Sequence, residues 1–247
     1  MEGKSLTKKA KLASTIVVAL FIMALVPIAI FATASKNVQV SNQVKYYVDY
    51  LDGNFYYAIT GNASEDLNVG YDPLTGITPA LLFSADYNET LGDGTVYDSM
   101  NNIVADNSIP VPQTKGLQFD KSHKEISYYF VFINTAVETT PTDNRSVFVK
   151  VRSDNTGFDP TIVTGHWEYI IKEADALDPN ISPLNTDGMW ISETTTPAPF
   201  VDGIELEPQK EDIYNYIILK YTLNLIEEKP FSANINLTIT LNSAVQD

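Results

Sequence analysis

The 247-residue sequence contains no cysteine. That excludes a disulfide framework, a zinc–thiolate site and a cysteine nucleophile. Histidine is almost as scarce, with only His123 in DKSHKE and His166 in TGHWEY. A histidine zinc site needs two or three rings close together, commonly as H-E-x-x-H on a helix, and that motif is absent. Nor is there a G-x-S-x-G elbow for a serine hydrolase or a glycine-rich phosphate loop. No catalytic and no metal-ligating set is assigned, and the chain is not expected to be an enzyme.

Positive charge is the third shortage. Sixteen Lys and Arg face 31 Asp and Glu, a net charge of −15. Four of those lysines, Lys4, Lys8, Lys9 and Lys11, lie ahead of residue 12; without them and Glu2 the chain keeps 12 basic and 30 acidic residues, a net charge of −18. Nucleic acid is excluded as a partner, because its phosphates must be met by Lys and Arg. Docking on anionic lipid is disfavoured for the same reason.

The lysines precede an uncharged run from Leu12 to Ala34. A basic start followed by an apolar stretch is the layout of a secretory signal, and Ala32 and Ala34 sit at the small-residue positions of an A-x-A cleavage site. Residues 1–34 are therefore expected to be a hydrophobic signal helix cut after Ala34. The alternative is a retained anchor, since about 20 apolar residues span a bilayer; residues 12–34 would then be the membrane contact. Either reading exports residues 35–247. About 200 residues can bury a core without disulfides.

Strand signals dominate that remainder. In ANINLTITL (233–241), Ala233, Ile235, Leu237, Ile239 and Leu241 alternate with Asn and Thr, as in a half-buried strand. Ile217, Leu219, Tyr221, Leu223 and Leu225 line one face of YIILKYTLNL, and Val147, Val149 and Val151 line one face of SVFVKVR. EISYYFVFIN (125–134) is apolar at both parities, which marks a strand buried on both sides. VQVSNQVKYYVDY (38–50) alternates too, with Val38, Val40, Val44, Tyr46, Val48 and Tyr50 on one face. It is longer than an ordinary strand, so it either bends between sheets or reaches outside its own domain.

Turn signals are frequent: DG at 52–53, 93–94 and 202–203, TG at 60–61, 75–76 and 164–165, and PTDN at 141–144. Short strands between such turns predict an all-β, antiparallel sandwich in one domain. A single short helix is expected near IKEADAL (171–177). A Pro-, Asn- and Thr-rich surface excursion is expected near 173–203.

Ligand signals are sparse. Asp93 and Asp98 in LGDGTVYD, and Asp52 and Asn54 in YLDGN, offer hard oxygens, but neither stretch has the spacing of a calcium loop. No cofactor is expected, and calcium is the one ion worth testing. Tyr46, Tyr47 and Tyr50, with Trp190 beside the excursion, form a candidate aromatic binding surface, set against ordinary packing on a sheet. Five N-x-S/T sequons occur, at Asn62, Asn88, Asn144, Asn180 and Asn236.

KEISYYFVFINTA (124–136) followed by RSVFVKV (145–151), with YNYIILKYTLNLIEEKPFSANINLTITL (214–241), is similar in pattern and order to the TasA/camelysin group of exported bacterial matrix proteins. The resemblance implies a jelly-roll sandwich behind a signal peptide. It also implies biofilm fibres in which the N-terminal strand of one subunit completes the sheet of the next. An alternating segment freed at its N-terminus can add to an open sheet edge, and head-to-tail addition that does not close makes a filament. Residues 36–44 are the candidate assembly strand, with Val38, Val40 and Val44 as its apolar set. The expectation is a secreted, non-enzymatic cell-surface or extracellular-matrix protein whose partner is itself, as a homopolymer, or other matrix proteins. A surface adhesin or carbohydrate-binding sandwich is the alternative.

Overall fold

The computed structural model describes residues 36–47, 51–60, 71–72, 76–77, 79–88, 93–111, 117–119, 124–137, 145–156, 158–174, 189–210, 213–229 and 231–243. The expected signal or anchor at 1–34, Val48, Tyr50, His123, residues 175–188 and the sequons at Asn62, Asn144 and Asn180 lie outside them. No helix among the described residues is long and apolar enough to cross a membrane.

Two sheets make a sandwich. Sheet A runs β13 (Ile204–Leu206), β10 (Val147–Thr156), β15 (Phe231–Ser243), β1 (Lys36–Tyr47) and β7 (Ser108–Pro110), with β8 (Leu117–Gln118) also on β1. Sheet B runs β12 (Ile191–Ser192), β11 (Val163–Ala174), β14 (Tyr214–Leu225), β9 (Glu125–Asn134), β2 (Gly53–Thr60), β5 (Ala80–Asn88) and β6 (Asp93–Asp98). A two-stranded ribbon, β3 (Tyr71–Asp72) and β4 (Gly76–Ile77), and one short helix, α1 (Ala198–Asp202), complete the described elements.

The alternation in the sequence becomes the inner faces. Ile217, Leu219, Tyr221 and Leu223 of β14 are fully buried, and Ile235, Leu237, Ile239 and Leu241 of β15 face them from sheet A. β9 is buried on both faces over most of its length, as its unbroken apolar run requires. Aromatic rings fill the middle. Phe83 stacks on Phe55 with centroids 5.3 Å apart, Phe55 meets Phe130 at 6.2 Å, Phe130 meets Trp167 at 6.0 Å, and Trp167 meets Tyr221 at 4.9 Å. Offset and tilted rings at these separations add to the area term of burial.

Four expectations need correction. The sandwich is not wholly antiparallel, because β1 pairs with β15 in parallel along its whole length, Lys36 opposite Phe231 through Tyr47 opposite Asn242. The helix expected near 171–177 is absent over 171–174, which form the end of β11, Ile171 pairing with Ile217 and Ala174 with Tyr214. Pairing with a long buried neighbour overrides the helix propensity of Lys, Glu and Ala. TG at 164–165 is not a turn but lies inside β11. Gly165 is needed there because a Cβ would stand 2.2 Å from the Tyr221 phenol oxygen. The excursion near 173–203 is not all surface, since Phe200 of α1 is buried and meets Tyr169 edge-on at 5.3 Å. Gly53 follows the expected DG signal: at φ 155°, a Cβ would lie 2.2 Å from the carbonyl oxygen of Ile133. Only glycine allows the backbone of β2 to approach β9 so closely.

Phe130→Ala is expected to lower stability by about 3–5 kcal/mol, because it opens the ring chain at its centre. Met189→Ala, at a residue 89% exposed, is expected to change it by less than about 0.5 kcal/mol. Urea unfolding followed by circular dichroism separates the two.

Candidate functional site

Two regions carry the sequence-derived candidates: the seat of β1 and the outer face of sheet B. β1 lies between β15 on one side and β7 and β8 on the other. Val44 and Tyr46 are buried, and Lys45 between them is exposed, so the period-two pattern holds where side chains are described. Positions 38 and 40 share the parity of Val44 and sit opposite Ala233 and Ile235. The candidate assembly strand therefore closes its own sheet within the chain. Parallel neighbours cannot be joined by a tight turn. Here no short connection joins β1 to β15; β1 is held by its ladders to β15, β7 and β8, by buried Val44 and Tyr46, and by its succession into β2 at Gly53.

The tyrosines do not form one surface. Tyr46 is 1% exposed, its ring lies 5.5 Å from Phe83, and its hydroxyl donates to the carbonyl of Asp106. Burial, with Asp106 adding to it, raises its pKa and keeps the phenol neutral. It is a core residue rather than a binding one, because its parity follows Val44. Only the strand assignment of Tyr47 is described, and Tyr50 lies outside the described residues.

Trp190 stands elsewhere, over the outer face of sheet B, with the Lys220 ammonium 4.8 Å from its ring centroid. Registers set that face in rows. One row reads Glu168, Lys220, Tyr129 and Ala58; the next reads Ile170, Ile218, Val131 and Tyr56. Lys220 Nζ is 2.6 Å from Glu168 Oε2, both side chains less than one-fifth exposed, and His166 Nε2 is 3.9 Å from the same oxygen. Val131, Ile133, Ile170, Tyr216 and Ile218 form a second apolar cluster beneath, flanked by Tyr56, Tyr129, Trp190 and Tyr214. Burial pushes the Tyr129 phenol up to about 12, with Glu125 adding to it, so the hydroxyl keeps its proton. Alternation on β14 points to its inner face and leaves the outer set Tyr214, Tyr216, Ile218 and Lys220 unassigned.

His166 serves this network, and no group of three or more metal-ligating side chains occurs among the described residues. Two of the four calcium candidates have other partners. Asp98 accepts the backbone N–H groups of Met100 and Asn102 at 2.9 and 2.8 Å, and Asp52 accepts the Thr135 hydroxyl at 2.6 Å.

No motif in the sequence marks Glu193. Its carboxylate accepts the Trp167 N–H at 2.8 Å, and its own N–H donates to the Trp167 carbonyl, so it covers the edge of β11 just past β12. An edge strand left bare invites pairing with other chains. Burial raises the Glu193 pKa, and the Trp167 N–H and His166 offset this only in part.

No family model matches the chain, and no curated protein matches it. Among solved structures, a point mutant of the major pilin from Streptococcus pyogenes aligns over 84% of this chain and 99% of its own at 8% identity, with a TM-score of 0.10. That score carries no argument about fold or function.

Two outcomes are expected. A double-mutant cycle on Glu168→Gln and Lys220→Met gives a coupling of about 0.5–3 kcal/mol in chemical unfolding. Because the folded Glu193 holds its proton more tightly than the unfolded chain does, its contribution to stability is largest in acid and declines as pH rises through the raised value. Glu193→Gln keeps an acceptor for the Trp167 N–H and removes that decline. The variant melts at or above wild type at neutral pH, and its advantage shrinks on acidification in thermal melts across pH.

Proposed function

We propose that this chain is an exported, non-enzymatic structural protein of the cell surface or extracellular matrix, whose subunits join by donating the N-terminal strand. The observation that carries the reading is the parallel seat of β1 beside β15. The first described strand of the chain closes sheet A without a local connection. The same slot in one subunit accepts the same strand from another, with identical register and hydrogen bonds. Exchange of this kind adds no new contact chemistry; it changes only which chain supplies the strand.

The basic start and uncharged run of residues 1–34 support export, and the strongly acidic remainder supports an extracellular surface. The jelly-roll comparison belongs to the same proposal, supported by the first and last strands being neighbours in one sheet. A second reading, a surface adhesin or carbohydrate-binding module, is favoured by one observation: Trp190 is held over Lys220 beside Tyr129 on the outer face of sheet B. In that reading Trp190→Ala abolishes retention on immobilised glycan.

Electron microscopy of the chain beginning at Ser35, concentrated with and without calcium, tests the assembly reading. Filaments of regular width are expected, and Val40→Asp, which puts a charge at a position paired with Ile235, is expected to abolish them. Dispersed particles under every condition would overturn strand donation and leave the adhesin reading in front.

A further inference from the structure

A groove of about 640 Å³ lies between α1 and sheet A, lined among others by Lys150, Arg152, Thr238, Thr240, Pro197 and Val201. Pockets of this size suit small ligands. Register explains its floor. Lys150 pairs with Thr240 and Arg152 with Thr238, and β1 continues both rows, Lys45 beside Thr240 and Gln43 beside Thr238. Gln43 also donates its amide to the Thr238 hydroxyl at 3.3 Å. Two cross-strand rows thus read Lys150, Thr240, Lys45 and Arg152, Thr238, Gln43, about 5 Å between neighbours and about 6.6 Å from row to row.

This is three cations in one patch of a chain with 16 basic and 31 acidic residues. Lys150 has no carboxylate partner among the described residues. Arg152 meets Asp154 at 2.8 Å, but that pair is exposed, so it holds little energy and leaves most of the guanidinium donors open. Glu193, the acidic residue of the wall, turns its carboxylate to the Trp167 N–H.

We infer that this groove and the strip of β1 beside its floor bind a carboxylated saccharide, with Lys150 and Arg152 in the groove and Lys45 one strand beyond it meeting its carboxylates, and Thr238, Thr240 and, on β1, Gln43 meeting its hydroxyls. Cations interleaved with neutral hydrogen-bonding groups suit an anion that carries many hydroxyls. Arg presents a fork that matches a carboxylate in two bonds. Pro197 and Val201 give the C–H face of a sugar ring an apolar wall. An acidic peptide fits less well: β15 is bonded to β10 on one side and β1 on the other, so the floor has no free main chain for strand addition. A single phosphate is too small to reach all three cations.

The inference needs β1 in its seat, since β1 carries Lys45 and Gln43, but it does not need filaments. Dispersed protein that binds sugar leaves it standing; filaments that bind none overturn it and leave strand donation standing. The test is calorimetric titration of the full-length chain, in nonionic detergent, with oligogalacturonate. A neutral oligosaccharide of equal length and a glutamate oligopeptide of equal charge serve as comparisons. Saturable binding of oligogalacturonate that weakens with added salt is expected. Lys150→Met, Arg152→Met and Lys45→Met should each weaken it about tenfold, the loss of one charge-assisted contact. Their melting temperatures should stay nearly unchanged, because Lys45 and Arg152 are exposed and half-buried Lys150 has no carboxylate partner among the described residues. Absence of saturable binding, or variants that bind as wild type does, would overturn the site. Equal or tighter binding of the glutamate peptide would overturn the saccharide.

Discussion

The parallel ladder between the first and last described strands is the constraint on which the rest of this architecture depends. β15 has β10 on one side and β1 on the other. Without β1, a 13-residue strand would present an open edge, and Ile235, Leu237, Ile239 and Leu241 would lose part of their cover. An edge of that length and apolarity is an aggregation template. The pairing is also the most non-local among the described strands, with Lys36 opposite Phe231. Long-range pairings of this kind form late, when the loop entropy has been spent on other contacts.

The two outer faces of the sandwich have different chemistry because their strands have different second parities. On sheet B the outward positions of β9 and β14 are themselves apolar, so a second cluster forms and Trp190 is drawn over it. The ion pair between Lys220 and Glu168 sits at the margin of that cluster, partly out of water, where removing one partner would strand the other. On sheet A the outward positions of β15 are Asn and Thr, and those of β10 and β1 include Lys and Arg. Among the described residues, α1 stands beside this face with Pro197 and Val201 and leaves a groove over it. The same rule, two-residue alternation, produces a covered face in one sheet and a polar groove on the other.

Much of this fold could be read directly. Alternation in 216–225, 233–241 and 147–151 predicts strands and their inward residues, and the two-sided apolarity of 125–134 predicts a central strand. The failures share a cause. TG at 164–165 looks like a turn until Tyr221, 56 residues later in sequence, comes to lie over Gly165. IKEADAL looks helical until β14 offers a ladder to its first half. Tyr46 looks like part of an aromatic surface until Phe83 and the Asp106 carbonyl, both distant in sequence, close over it in the core. In each case a partner distant in sequence outweighed a local preference.

The sequence alone determined that the chain is an acidic, cysteine-free, all-β protein with an uncharged run at residues 12–34, because composition and two-residue periodicity are local properties. Only the tertiary structure decided that β1 runs parallel to β15, that Glu193 covers the edge of β11, and that Lys45, Lys150 and Arg152 share one face. Those facts depend on register between strands far apart in the chain. Register is fixed by the whole set of buried side chains packing together, not by any segment taken by itself.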